Sequence, residues 1–296
     1  MKKESIFKGV GTALITPFNE DGVDYESFGR LIDWQIEEGI NALIIAGTTG
    51  EASTFSDAEH KEVLRFAVER AAGRVPIVAG TSSNETAYAI ELTKHACAVG
   101  ADACLVVTPY YNKATQNGLI AMYNAVADAS TKPIIVYEIP SRTGVTIQPE
   151  TMVKLAEHPN IAAVKEASGN IAKIDEEFAL LGDKLDIYSG NDDQVIPLMS
   201  MGGAGVISVL SNIMPKETVA MCDKFFAGDI AGAAADQKKY MALIKALFSE
   251  VNPIPVKAAA AKMGLCKNIL RLPLTQMEEA HEAKMFDLMR GFGLIG

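Results

Sequence analysis

Short apolar runs alternate with longer stretches of helical periodicity from the start of the chain to about residue 227. The runs are GVGTALITPF at 9–18, ALIIAG at 42–47, PIVAGT at 76–81, ACLVVTP at 103–109, PIIVYEIP at 133–140, IAAVKEA at 161–167, LDIYSG at 185–190 and GVISVL at 205–210. Runs of this length, apolar throughout and closed by turn residues such as Gly47, Gly80, Pro109, Pro140 and Gly190, read as strands buried on both faces. Between and after them, 25–39, 56–72, 85–99, 115–130, 148–157, 170–181, 192–201 and 215–227 have the spacing of amphipathic helices, with Ser56 and Asn84 as N-cap residues. Eight strand–helix pairs predict an α/β fold of the closed (β/α)8 TIM barrel type. A doubly wound open sheet would carry fewer strands and a nucleotide fingerprint. GVGTAL at 9–14 lacks the third glycine and begins a strand instead of following one.

Beyond residue 228 the pattern becomes purely helical, through 229–250, 256–264 and 276–292, with NPIP at 252–255 as the clearest break. No flexible linker intervenes, so the chain reads as a catalytic barrel over 1–227 with a C-terminal helical appendage over 228–296, packed as one compact unit. The pattern leaves open whether that appendage covers its own barrel or a neighbour's.

Composition narrows the partners. At 296 residues and 49% hydrophobic content the chain can bury a large core. A net charge of -10 argues against a nucleic-acid partner, which needs a basic face, and an anionic substrate would have to be met by a local cation. Cys97, Cys104, Cys222 and Cys266 have no CxxC spacing and sit in apolar surroundings, as thiols of a reducing compartment do. MKKESIFKG at the start is not followed by an apolar run of signal-peptide length, and no segment approaches the roughly 20 apolar residues of a membrane span. A cytoplasmic protein without membrane or nucleic-acid partners is expected.

In barrels of this class chemistry sits at the C-terminal ends of the strands. Three such ends are polar: GTTGE at 47–51, YEIPSRTG at 137–144 and VKEAS at 164–168. Lys165 interrupts an apolar run, and strand alternation places it with Ile161, Ala163 and Ala167 on one face, while Val164 and Glu166 take the other. A buried lysine is held neutral by desolvation, as a nucleophilic amine must be, and lowering its pKa by about three units from about 10.4 costs about 4 kcal/mol. The alternative is a structural lysine that snorkels to the rim or pairs with an acid from another strand. Tyr137 falls on the same barrel face one strand away and can exchange a proton during imine formation, or else simply fills the barrel mouth. Arg142, between Pro140 and Gly144, offers a fork of donors for a carboxylate, or is a surface arginine. GTTG brings two hydroxyls and backbone N–H groups suited to a small carboxylate. Tyr110 and Tyr111 end strand four as site, lid or interface residues. The four histidines form no HxH or HExxH spacing, so no metal is expected, and GGAG at 202–205 reads as a tight turn.

Together GTTGE, TPYYN, YEIPSRTG, VKEASG and NPIPVK resemble the 4-hydroxy-tetrahydrodipicolinate synthases, over nearly the whole chain. The strand-six lysine and strand-five tyrosine are shared with the broader pyruvate-aldolase superfamily, whereas SRTG and TPYYN are similar to the synthase branch. The resemblance implies that Lys165 forms an imine with pyruvate, that Tyr137 donates and accepts protons, and that Thr48 and Tyr111 complete a relay with Tyr137, Tyr111 serving an adjoining subunit. It implies that Thr49 holds the pyruvate carboxylate, that Gly190 and Ile207 line the pyruvate pocket, and that Arg142 receives the carboxylate of L-aspartate 4-semialdehyde. It implies no cofactor, because the lysine imine is itself the electron sink, and a homotetramer built from dimers. Two departures stand out. Glu138 replaces an asparagine common in relatives, with a packing effect expected. Tyr88 and Asp57 stand where lysine-inhibited members carry a glutamate and often a histidine, so lysine inhibition is expected to be weak or absent. An N-acetylneuraminate or 2-keto-3-deoxy sugar-acid lyase would keep Lys165 and Tyr137 without needing Arg142, and a keto-acid-sensing barrel would not need the reactive set.

Overall fold

The computed structural model describes residues 3–296. Eight parallel strands close a barrel: β1 (Gly9–Ala13), β2 (Ala42–Ile45), β3 (Ile77–Gly80), β4 (Ala103–Val107), β5 (Ile134–Glu138), β6 (Ile161–Glu166), β7 (Asp186–Ser189) and β8 (Gly205–Ser208), each hydrogen-bonded to its sequence neighbours, with β8 returning to β1. Each lies where an apolar run predicts it. The first run stops early as a strand, for Ile15 N donates to the Asn212 side chain at 3.0 Å in place of a ladder; Phe18–Asn19 pairs instead with Gly22–Val23 in a small antiparallel hairpin.

The uniformly apolar runs have a simple cause. Leu43, Ile45, Val106, Val136, Val164 and Val206 face outward into the layer beneath the helices. Ile44, Leu105, Ile135, Ala163 and Ile207 fill the barrel interior. Both faces of every strand are therefore covered. One expectation fails here: the register shifts between Ile134 and Ile135, so that Ile134 pairs with Ile161 but Ile135 with Ala163. Ile161 thereby joins the outer layer, while Ala163 and Ala167 stay inside. At the N-terminal end of the barrel, Phe7 stacks on Tyr188 at 4.3 Å between ring centroids.

The barrel helices are α1 (Tyr25–Glu37), α2 (Asp57–Ala71), α3 (Thr86–Val99), α4 (Gln116–Asp128), α5 (Pro149–Leu155), α6 (Ile171–Leu181), α7 (Val195–Ser200) and α8 (Pro215–Phe226). Ser56 caps α2 in a full capping box with Glu59. The cap of α3 is Glu85, which accepts from Tyr88 N at 2.9 Å. Asn84 is not the cap, since its carbonyl and side-chain amide bind Asn112 and Tyr110 of the loop after β4. GGAG forms the expected turn, with Gly202 and Gly205 at φ +110° and +140°.

The appendage consists of α9 (Ile230–Leu247), α10 (Ile254–Lys262) and α11 (Glu279–Gly291). It packs on its own barrel. Gln237 of α9 donates to the Asp192 carbonyl at 2.7 Å. Lys257 of α10, fully buried, forms an ion pair with buried Glu51 of the GTTGE loop. Glu51 Oε2 also accepts from Arg271 N at 3.1 Å. The appendage thus grips a strand-end loop from behind. No helix of the described residues is long and apolar enough to cross a membrane, and all four cysteines are free thiols.

Candidate active site

Lys165 ends β6 inside the barrel, opposite Tyr137 of β5 in the strand register. Its Nζ lies 4.3 Å from the Tyr137 ring centroid. Both are buried, at 6% and 5% exposure. Burial lowers the Lys165 pKa to about 7; the carboxylate of Asp192 opposes that shift and the Arg142 guanidinium adds to it. Holding the amine neutral at that pH disfavours its cation by about 5 kcal/mol relative to water, so a large fraction is the free amine that attacks a carbonyl. Burial raises the Tyr137 phenol to about 12, with Arg142 and the Thr48 side chain favouring the phenolate against it. Tyr137 is therefore protonated at neutral pH and able to donate.

Gly190, at the end of β7, makes room for the lysine: a Cβ there would lie 3.2 Å from Lys165 Cε and 2.7 Å from the Ala167 Cβ. Ile207 of β8 is fully buried in the same interior cluster as Tyr137 and Ala163. Beyond them opens a cavity of about 340 Å³ walled by Gly47, Thr48, Tyr137, Ile139 and Arg142.

The GTTG loop is held in a bent form between Ala46 and Glu51, both at positive φ (56° and 57°). Its amides are less free than the sequence suggests, for Gly50 N and Glu51 N bond back to Gly47 O and Thr48 O at 3.1 Å each. What remains for a ligand are the threonine hydroxyls and the Thr48 and Thr49 amides, which make no hydrogen bond among the described residues. Thr48 faces the cavity. Thr49 is buried, and its Oγ1 accepts from Asn252 Nδ2 at 3.0 Å. Arg142, in a four-residue helical turn after β5, is exposed and donates from Nη2 to the Asn252 carbonyl at 3.0 Å.

Tyr111 stands apart. It is 93% exposed and held at φ +70°, a strained setting for an aromatic residue, and within one chain it does not line the cavity, whereas Tyr110 does. Of the eight expected residues, Lys165, Tyr137, Gly190 and Ile207 are thus gathered in the barrel interior, and Thr48 and Arg142 share the cavity wall with Tyr137. Thr49 meets Arg142 through Asn252, and Tyr111 is exposed.

Two site residues escape the sequence reading. Asp192 is the carboxylate acting on Lys165; its Oδ2 accepts from Val209 N and Leu210 N at 2.9 Å each, and burial raises its pKa. A signal existed, since it lies two residues past the Gly190 strand end. Asn252 gave only a chain break.

The chain matches the family model described as "Dihydrodipicolinate synthetase family" over residues 6–290. It belongs to that family. A 4-hydroxy-tetrahydrodipicolinate synthase of Caldicellulosiruptor bescii is 52% identical over 98% of each chain. The crystal structure of a dihydrodipicolinate synthase from Aquifex aeolicus is similar with TM-score 0.96 and 45% identity, covering 97% of this chain and 99% of that one. That of a chloride-inhibited dihydrodipicolinate synthase from Acinetobacter baumannii, complexed with pyruvate, has TM-score 0.95 and 43% identity over 98% of this chain and 100% of the other. Within this dihydrodipicolinate synthetase fold, Glu138 faces out from the barrel, where Glu138, Glu166 and Glu177 surround Lys173. Their carboxylate oxygens come close enough together to hold a cation, and the Lys173 ammonium takes that place.

Proposed function

We infer that the chain condenses pyruvate with L-aspartate 4-semialdehyde to give (4S)-4-hydroxy-2,3,4,5-tetrahydrodipicolinate, the entry step to diaminopimelate and lysine biosynthesis. The observation that carries this reading is a buried, largely neutral Lys165 amine beside the protonated Tyr137 phenol at the ends of adjacent barrel strands. The 52% identity to a named synthase over almost the full length supports it.

The chemistry follows from the groups present. The Lys165 nitrogen attacks the keto carbon of pyruvate, and Tyr137 supplies the proton with which the hydroxyl leaves as water. The resulting iminium draws electrons from the adjacent methyl, which gives a proton to the Tyr137 phenolate and becomes an enamine. The enamine carbon attacks the semialdehyde carbonyl, whose oxygen takes a proton back from Tyr137 to become the hydroxyl. The substrate's own amino group then closes the ring on the imine carbon and displaces Lys165, which regains its proton and leaves as the free amine. The imine is the electron sink, so the steps call for neither metal nor organic cofactor. We assign Thr49 to the pyruvate carboxylate, Gly190 and Ile207 to the walls of its pocket, and Arg142 to the carboxylate of the second substrate.

Thr48 is assigned to pass protons between Tyr137 and Tyr111. Because Tyr111 is exposed and held in a strained conformation on its own chain, a second copy is needed to bring it to a site. This fits the homotetramer of dimers that the family resemblance implies. A sugar-acid lyase would use the same lysine and tyrosine, and Arg142 argues for the carboxylate-bearing semialdehyde. Assay of pyruvate with L-aspartate 4-semialdehyde beside pyruvate with N-acetylmannosamine tests the choice: turnover of the semialdehyde is expected, and turnover of the sugar alone would overturn it.

A further inference from the structure

Thr49 and Arg142, the two residues assigned above to carboxylates, lie on separate loops after β2 and β5, yet both end on one residue of the appendage. Asn252 donates its side-chain Nδ2 to Thr49 Oγ1 at 3.0 Å, and its backbone carbonyl accepts from Arg142 Nη2 at 3.0 Å. It is 7% exposed, and its Oδ1 is buried without a partner among the described residues. We propose that Asn252 is a positioning residue for carboxylate recognition, which sets the direction of the Thr49 hydroxyl and holds one arm of Arg142; this rests on the function inferred above.

The argument is one of proton direction. A threonine hydroxyl carries one proton and two lone pairs. With a lone pair taken by the Asn252 amide, the proton is free to be given to a substrate carboxylate. An aspartate of the same shape would reverse this, since a carboxylate only accepts; Thr49 would donate to it and turn its proton away from the ligand. The same residue restrains Arg142 without neutralising it, because a peptide carbonyl takes one N–H and leaves the charge intact. Arg142 forms no ion pair among the described residues, so its remaining donors stay available to an anion. Asparagine supplies a donor at this place without adding a negative charge beside two carboxylate sites. The helical appendage thereby becomes part of substrate selection, beyond covering the barrel.

Reductive trapping with borohydride, read by intact mass, tests this with two probes: pyruvate, and its neutral isostere pyruvamide. For the wild-type enzyme the adduct on Lys165 should form at lower concentrations of pyruvate than of pyruvamide. Asn252→Asp should raise the half-saturating pyruvate concentration at least tenfold, the loss of about one charge-assisted hydrogen bond, and leave that for pyruvamide within about twofold. Asn252→Ser, which keeps a small polar group without the amide, should shift pyruvate in the same direction by less. A merely structural role would move both probes together, and that result in both variants overturns the inference while leaving the reaction in place. If Asn252→Asp does not fold, Asn252→Ser decides alone by the same comparison. Absence of any wild-type adduct would instead sink the parent reading and this one with it.

Discussion

Lys165 and Tyr137 occupy paired positions on adjacent strands, and the lysine Nζ lies 4.3 Å from the centre of the tyrosine ring. The protonated phenol stands beside an amine that burial has left largely neutral. Tyr137→Phe keeps the ring and removes the proton. It should lower kcat by about 10²- to 10⁴-fold, the usual worth of a positioned acid–base group, while a pyruvate adduct on Lys165 still accumulates on long incubation. Steady-state rates and mass spectrometry of the same variant check both halves.

The lysine should also be costly to the fold. Its folded pKa is about 7 against about 10.5 unfolded, so between those values the unfolded chain binds the extra proton and stability rises with pH. Lys165→Met fills a similar volume without a charge. The variant should melt higher than the wild type at pH 7, by no more than the roughly 5 kcal/mol that the shift represents, with the gap closing as pH approaches 10. A wild type more stable than the variant throughout that range contradicts the electrostatic account.

Outside the barrel the sign is opposite. Burial and the mutual repulsion of Glu138, Glu166 and Glu177 push the Glu138 and Glu177 carboxyls above the ordinary range, with Lys173 opposing. A carboxyl raised on folding contributes stability below its unfolded pKa and loses it as pH rises through the folded value. Glu177 Oε2 has no hydrogen-bond partner among the described residues, so Glu177→Gln removes a charge without breaking a bond at that atom. The variant should lose less thermal stability than the wild type between about pH 6 and about pH 9. Scanning calorimetry at both ends of that range is the check.

Feedback control is expected to be weak. Tyr88 lines the cavity together with Ser53, His60 and Tyr110, and burial and the nearby Asp57 carboxylate raise its phenol pKa. No carboxylate stands at position 88 to pair with a lysine ammonium, and a desolvated charge without its partner binds poorly. Initial rates should be little changed by millimolar lysine. Sub-millimolar inhibition would contradict this.

Much of the fold was legible because parallel barrel strands are covered on both sides, so each reads as a compact apolar run, and eight such runs leave little choice. Lys165 was legible for the same reason: a charge on the interior face of IAAVKEA is costly unless it meets a ligand, whereas Glu166, on the outer face, is met by Lys173. Local irregularities were not. The register shift beside Ile134 moved Ile161 to the outer layer, and Glu85 took the cap that Asn84 offered because the loop after β4 had claimed Asn84. Asn252 lies 203 residues from Thr49 in sequence, and no periodicity or spacing spans that distance.

The central claim is that Lys165 is the amine that captures pyruvate. Incubation with pyruvate and borohydride, followed by intact mass and peptide mapping, tests it most directly. One reduced pyruvate adduct per chain, located on Lys165 and abolished by Lys165→Met, is expected. No adduct, or an adduct on any other lysine, would contradict the account.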